Sequence, residues 1–128
     1  MRTTNREDVV QEFHDAFELA VDVEWTPEVV ELRMRLIREE WDELFEAYME
    51  YDFSQPQQRA HFLKELADLQ YVVSGTAVAL GLPLQQAFIR VHKSNMSKLD
   101  ENGKPIYRED GKVLKSENYA PPTLIDLV

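Results

Sequence analysis

The chain has 128 residues, the length of a single domain, and with 44% hydrophobic and 30% charged residues its composition excludes wholesale disorder. Fourteen Lys and Arg against 24 Asp and Glu give a net charge of −10, which argues against nucleic acid and against membranes as partners. Cysteine is absent, so there are no disulfides, thiolate metal sites or Cys nucleophiles, and a cytoplasmic location is the expectation.

Thr4-x-x-Glu7 reads as a capping box that opens a first helix running to about Asp22. Val9/Val10, Phe13, Phe17 and Ala20/Val21 recur along it at three-to-four spacing. Thr26-Pro27, a cap followed by Pro at the first helical position, opens a second helix to about Asp52. Ser54-x-x-Gln57 is a second capping box and predicts a third helix to about Leu80, ended by Gly81. Pro83 opens a fourth, to about Lys98. Beyond it, Asn102-Gly103 and Asp110-Gly111 are turn dipeptides that predict a short hairpin or a looped tail, and Pro121-Pro122 excludes a helix there. No apolar run approaches the roughly 18 residues needed to cross a bilayer. The N-terminus leads into an acidic segment rather than an apolar signal core. The expected architecture is all-α, a four-helix bundle-like single domain over 1–128, with a helical body at about 4–98 and an irregular C-terminal arm at about 99–128. The charge divides the same way: 18 acidic and 7 basic side chains lie in residues 1–89, against 6 and 7 in residues 90–128.

The second helix carries Glu39-Glu40-Trp41-Asp42-Glu43. Glu40 and Glu43 share a face, and Leu36, Glu40, Glu43 and Ala47 follow one row, so two acids stand in line between apolar residues. An acidic face that is merely solvated would lie opposite the core stripe. The third helix repeats the device with Glu65 and Asp68, whose row borders Phe62, Leu66, Leu69 and Val73, an expected core row. If the helices pack antiparallel, four or five carboxylates converge. Converging carboxylates repel and cost desolvation, which Arg38, Lys64 or, more fully, a divalent cation would offset. An all-oxygen site suits Mg²⁺ or Mn²⁺, and two ions could activate water and hold a phosphoryl group. A di-iron bundle is excluded, because its Glu-x-x-His pairs are missing: His14, His61 and His92 follow Gln11, Gln58 and Ile89. On the fourth helix Asn95 and Lys98 are i, i+3 and could face one phosphate, with Lys112 further along; cations near a helix C-terminus also simply complement its dipole. His14 could touch a ligand or be packed. Trp25, Trp41 and Tyr71 could stack on a base, though at helical spacing Trp41 and Tyr71 are expected in the core.

The pair Glu39-Glu40-Trp41-Asp42-Glu43 and, 21 residues on, Glu65-Leu66-Ala67-Asp68 resembles the MazG-like all-α nucleoside triphosphate pyrophosphohydrolases, with their Glu-Glu-x-x-Glu and Glu-x-x-Asp helices. Phe13-His14, Glu65-Leu66-Ala67-Asp68-Leu69-Gln70-Tyr71, Val91-His92-Lys93-Ser94-Asn95-Met96-Ser97-Lys98 and Asp110-Gly111-Lys112-Val113-Leu114-Lys115 extend the likeness toward a phosphoribosyl-ATP-pyrophosphohydrolase-like branch, over about residues 12–122. The resemblance implies cleavage of a (d)NTP to a (d)NMP and pyrophosphate with Mg²⁺ or Mn²⁺, two or more ions per site, and dGTP/GTP or dUTP as favoured substrates. Phosphoribosyl-ATP is the alternative substrate, and a non-catalytic helical interaction module is the alternative from another class. It implies Glu39, Glu40, Glu43, Glu65 and Asp68 as metal-binding and water-activating residues, Glu39 being either a ligand or the general base. It implies Asn95, Lys98, Lys112, Lys93 and His14 as substrate-binding residues, and a homodimer or homotetramer.

Overall fold

The computed structural model describes residues 5–50, 52 and 54–128. Among them the regular structure is four α-helices, a two-stranded hairpin and a short 3-10 turn, with 61% of the chain helical, which is the all-α class the sequence predicts. Helix α1 spans Arg6–Ala16, α2 Pro27–Met49, α3 Pro56–Leu80 and α4 Leu84–Met96. Thr4 lies outside the described residues. The capping box present is one residue on, with Asn5 accepting from Asp8 N and Asp8 from Asn5 N.

Helix α1 stops at Ala16, well before Asp22. Glu18 and Asp22 both take left-handed backbone, φ 57° and 49°, and turn the chain back. The turned segment closes the end of α3. A helix leaves its last four carbonyls without partners. Here Leu82 N donates to Ala77 O, Asp22 N to Val78 O, Val23 N to Ala79 O, and Trp25 Nε1 to Leu80 O, all at 2.8–2.9 Å. Periodicity could not show the last three, because their partners are more than 50 residues apart in sequence.

Thr26 caps α2 through Val29 N, and Pro27 opens it as expected. The second expected capping box does not form. Gln55 is the N-cap of α3, without a side-chain bond, and Ser54 instead donates to Asp52 at 2.7 Å. Pro56 supplies the start. Gly81, at φ 67°, ends α3 in the left-handed region that favours glycine. Helix α4 ends at Met96; Lys98 lies past it, its N–H on Asn95 O.

The chain divides into two compact units, residues 1–82 and 83–128, so α4 goes with the tail. No charged residue lies between 83 and 89, so the charge split coincides with this boundary: −11 for the first unit, +1 for the second.

In the first unit the buried apolar set is Val10, Leu44, Ala47, Ala77, Val78, Ala79 and Leu80. Several expected core positions are exposed instead: Val9, Phe13, Phe17, Leu66, Tyr71 and Trp41, the last at 49%. An 11-residue α1 cannot cover the 25 residues of α3, and the outer face of α2 has no helix against it within this unit. In the second unit, β1 (Ile106–Tyr107) pairs antiparallel with β2 (Val113–Leu114), Ile106 opposite Leu114, as a hairpin turned at Gly111. The tail is tied to α4 by Ser94 Oγ donating to Ala120 O, by Ala120 N donating to Ser97 Oγ, and by a bidentate Arg90–Asp126 pair at 2.6 and 2.9 Å.

Candidate metal and catalytic site

Helices α2 and α3 run antiparallel: Arg33 on α2 reaches Val72 and Thr76 on α3, while Glu40 and Glu43, further along α2, meet Glu65 and Asp68, earlier on α3. Glu40, Glu43, Glu65 and Asp68 each offer an oxygen to a cluster in which these atoms lie within 4.8 Å of one another. The i, i+3 spacing on each helix aims the pairs; the antiparallel packing merges them.

Burial makes the cluster more than a surface acidic patch. Glu65 is only 4% exposed, more buried than its apolar neighbour Leu66. Glu65 Oε2 and Glu40 Oε2 are both buried and have no hydrogen-bond partner among the described residues. Buried carboxylate oxygens without donors are costly, and such groups are rare in folded proteins. Burial first, then the Glu43 carboxyl beside it, then the charges of Asp68 and Glu65, raise Glu40 from its usual 4.5 to about 6. Oxygen donors with unmet valence and mutual repulsion fit a hard divalent cation. The four carboxylates could hold one.

Two bases lie beside the cluster on α3. Lys64 Nζ is 2.8 Å from Asp68 and 3.2 Å from Glu65, and these contacts raise its pKa. His61 Nδ1 lies 3.9 Å from the same Glu65 oxygen. Arg38, the other base expected to offset the acids, pairs instead with Asp42.

Glu39 is exposed and is not part of the cluster. His14 is 3% exposed; its Nδ1 bonds Ala20 O at 2.7 Å, which places a proton on Nδ1. Lys93, Asn95, Lys98 and Lys112 all belong to the second unit, and the three lysines make no ion pair among the described residues.

The residues read as site candidates did not include Arg33 and Gly75. Arg33 is 7% exposed, donates to Thr76 Oγ1 and Val72 O at 3.3 Å, and has no carboxylate against it. It stands two turns from Glu40 on nearly the same face, about 10 Å along α2. Gly75 makes room: a methyl group there would overlap the Arg33 guanidinium and lie 3.1 Å from His14 Nε2. A glycine in the middle of a predicted helix was the available signal. A groove of about 540 Å³ between α1 and α3, lined by Val9, Leu63, Leu66, Gln70 and Ser74, lies away from these acids. Helical phase puts Leu66 and Gln70 on the opposite side of α3 from Asp68.

An all-α chain that brings two carboxylate pairs together from antiparallel helices belongs to the class of helical proteins able to hold a divalent cation on carboxylates alone. Residues 10–95 match the phosphoribosyl-ATP pyrophosphohydrolase family, and the chain belongs to it, within the MazG-like all-α NTP pyrophosphohydrolase superfamily. Its activity class is therefore pyrophosphohydrolase, a hydrolase acting on acid anhydrides. The match contains the whole acidic cluster and ends at Asn95, short of Lys98 and Lys112. Comparison with curated proteins finds none that matches. Among the described residues no single helix is long and apolar enough to cross a membrane.

Proposed function

We propose that the protein is a cytoplasmic enzyme hydrolysing a (d)NTP to the (d)NMP and pyrophosphate, with dGTP/GTP or dUTP the favoured substrates. The observation that carries this reading is the four-carboxylate cluster with two buried, unpartnered oxygens. Glu40, Glu43, Glu65 and Asp68 hold Mg²⁺ or Mn²⁺, two or more ions. Bound there, the cations supply charge neutralisation and a more acidic water. Glu39, outside the cluster and open to solvent, is assigned as the general base, with a further ligand role the alternative. Asn95, Lys98, Lys93 and Lys112 bind the phosphates. Tyr71 follows Asp68 by three residues on α3, and its ring packs edge-on at 5.6 Å against Phe13, itself 4.4 Å from Phe17. These exposed rings offer a surface on which a base can lie. His14 would reach the substrate through Nε2, since Nδ1 is engaged with Ala20 O. The exposed row Met34, Trp41, Phe45 and Tyr48 along α2 supports pairing with a second copy, as a homodimer or homotetramer.

Incubation with a panel of (d)NTPs and phosphoribosyl-ATP, with Mg²⁺ or Mn²⁺, and resolution of the products tests this. Monophosphate plus pyrophosphate from a (d)NTP is the expected result. Diphosphate plus phosphate, or no turnover of any nucleotide, sinks the mechanism. Turnover of phosphoribosyl-ATP alone moves the assignment to the substrate that names the family.

A further inference from the structure

We propose that Lys64 is an exchangeable counter-ion of the carboxylate cluster: it neutralises Glu65 and Asp68 in the metal-free chain, is released when a divalent cation loads, and then offers its ammonium to the substrate's phosphates. The inference rests on the metal-site reading above.

Lys64 is the one basic side chain among the described residues that touches two members of the cluster, at 2.8 Å to Asp68 and 3.2 Å to Glu65. It takes the same Glu65 oxygen that His61 approaches, and leaves Glu65 Oε2 without a partner. One monovalent charge therefore serves four carboxylates and leaves two of them short of donors. Such a contact is easily exchanged, for three reasons. Its ammonium is largely in water, with the side chain 62% exposed, where an ion pair contributes little. The order of the pair, Lys four residues before Asp, is the less favourable orientation on a helix, so helix geometry does not hold it. The lysine stem is long and flexible, and ammonium is a compact charge suited to a phosphate oxygen. Arg38 makes the contrast. It pairs outside the cluster with Asp42, and a cation arriving at the cluster has no reason to disturb it.

A released Lys64 stays anchored one residue from Glu65, so its reach covers the cluster's rim. A phosphate held there carries the charge the ammonium has just lost as a partner. The same side chain thus opposes cation binding before loading and favours anion binding after it.

The test uses metal-free full-length protein and Lys64→Gln. Mn²⁺ is titrated without nucleotide by calorimetry; then a non-hydrolysable α,β-linked nucleotide analogue is titrated at saturating Mn²⁺. Lys64→Gln is expected to bind Mn²⁺ several-fold more tightly and the analogue several-fold more weakly, with Lys64→Arg restoring both toward wild type. The gap in Mn²⁺ affinity should narrow in high salt, as screening weakens the ion pair in the wild type. An unchanged or weaker Mn²⁺ affinity in Lys64→Gln overturns the counter-ion role, whatever the enzyme's activity. Tighter Mn²⁺ with unchanged analogue binding overturns the phosphate role. Wild-type protein that binds no Mn²⁺ at all removes the metal reading itself, and this proposal with it.

Discussion

The two units of this chain treat charge in opposite ways. In residues 83–128, Arg90 is matched by Asp126, Arg108 by Asp110, and Lys115 lies over the Tyr119 ring. In residues 1–82, four carboxylates are pressed together and buried oxygens go without donors. The tail's two Arg–Asp pairs lie near solvent and each brings two guanidinium donors to both carboxylate oxygens, as expected where charge only has to hold a segment down. The acidic cluster is incomplete by the protein's own means. A fold that satisfies its polar groups elsewhere and leaves them wanting at one place marks that place for a ligand.

The largest effect expected from breaking this contrast is on the acidic side. Glu65→Gln and Glu43→Gln should each reduce kcat/KM by on the order of 100-fold or more while leaving the circular dichroism spectrum unchanged. Glu65→Gln should also raise the melting temperature of the metal-free protein, because it removes a buried, under-satisfied charge. A lowered melting temperature would mean that the carboxylate is structural. Next comes the cation itself. Mn²⁺ at about 100 times its dissociation constant should stabilise the native state by about 2.7 kcal/mol, a rise of several degrees that chelation reverses and Glu65→Gln abolishes.

The pH response is smaller, and its sign is distinctive. Glu40 ionises at about 6 in the folded chain instead of 4.5. A carboxyl raised in this way contributes stability that is complete below 4.5 and is lost as pH rises through 6. Thermal scans of metal-free protein should therefore show a contribution of a few degrees that disappears between pH 4.5 and 6. With Mn²⁺ the trend should reverse, since protons compete with the cation for Glu40. Gly75→Ala sets a gain in helix propensity of about 1 kcal/mol against displacement of the buried Arg33 guanidinium. We expect a net loss of about 1 kcal/mol, or about 3 °C by calorimetry, because Arg33 donates hydrogen bonds from both Nε and Nη2. Smallest of all, Arg90→Ala in the other unit should leave global melting nearly unchanged and only speed proteolysis of the last few residues, an effect that salt should mimic.

What could be read in advance was local and periodic. Two i, i+3 acid pairs on consecutive helices, and the Pro and Gly that start and stop those helices, follow from spacing alone. So does the Gly111 hairpin. The end of α1 could not be read, because Glu18 and Asp22 take left-handed backbone and the turned chain brings Asp22 N and Val23 N to the carbonyls of Val78 and Ala79. Trp41 and Tyr71 were expected inside, since periodicity reports an apolar face without saying whether anything covers it. Glu39 and Glu40 look equivalent as letters, yet the 100° step of one residue puts Glu40 into the cluster and leaves Glu39 outside it. Arg33 carries no signal of its own in the sequence, because an arginine followed by Arg35 and Arg38 on one helix reads as surface.

The closure of α3 by the segment between α1 and α2 has a consequence for how such a chain can vary in length. Three donors, Asp22 N, Val23 N and Trp25 Nε1, meet three successive carbonyls of α3, so the span from Phe17 to Thr26 is fixed residue by residue. One residue inserted or deleted there would misalign several bonds at once. The connection between Met49 and Pro56 carries no comparable set of long-range backbone bonds among its described residues. Relatives of this chain should therefore keep the first connection constant in length and differ in the second, and grafts or circular breaks should be tolerated only at the latter.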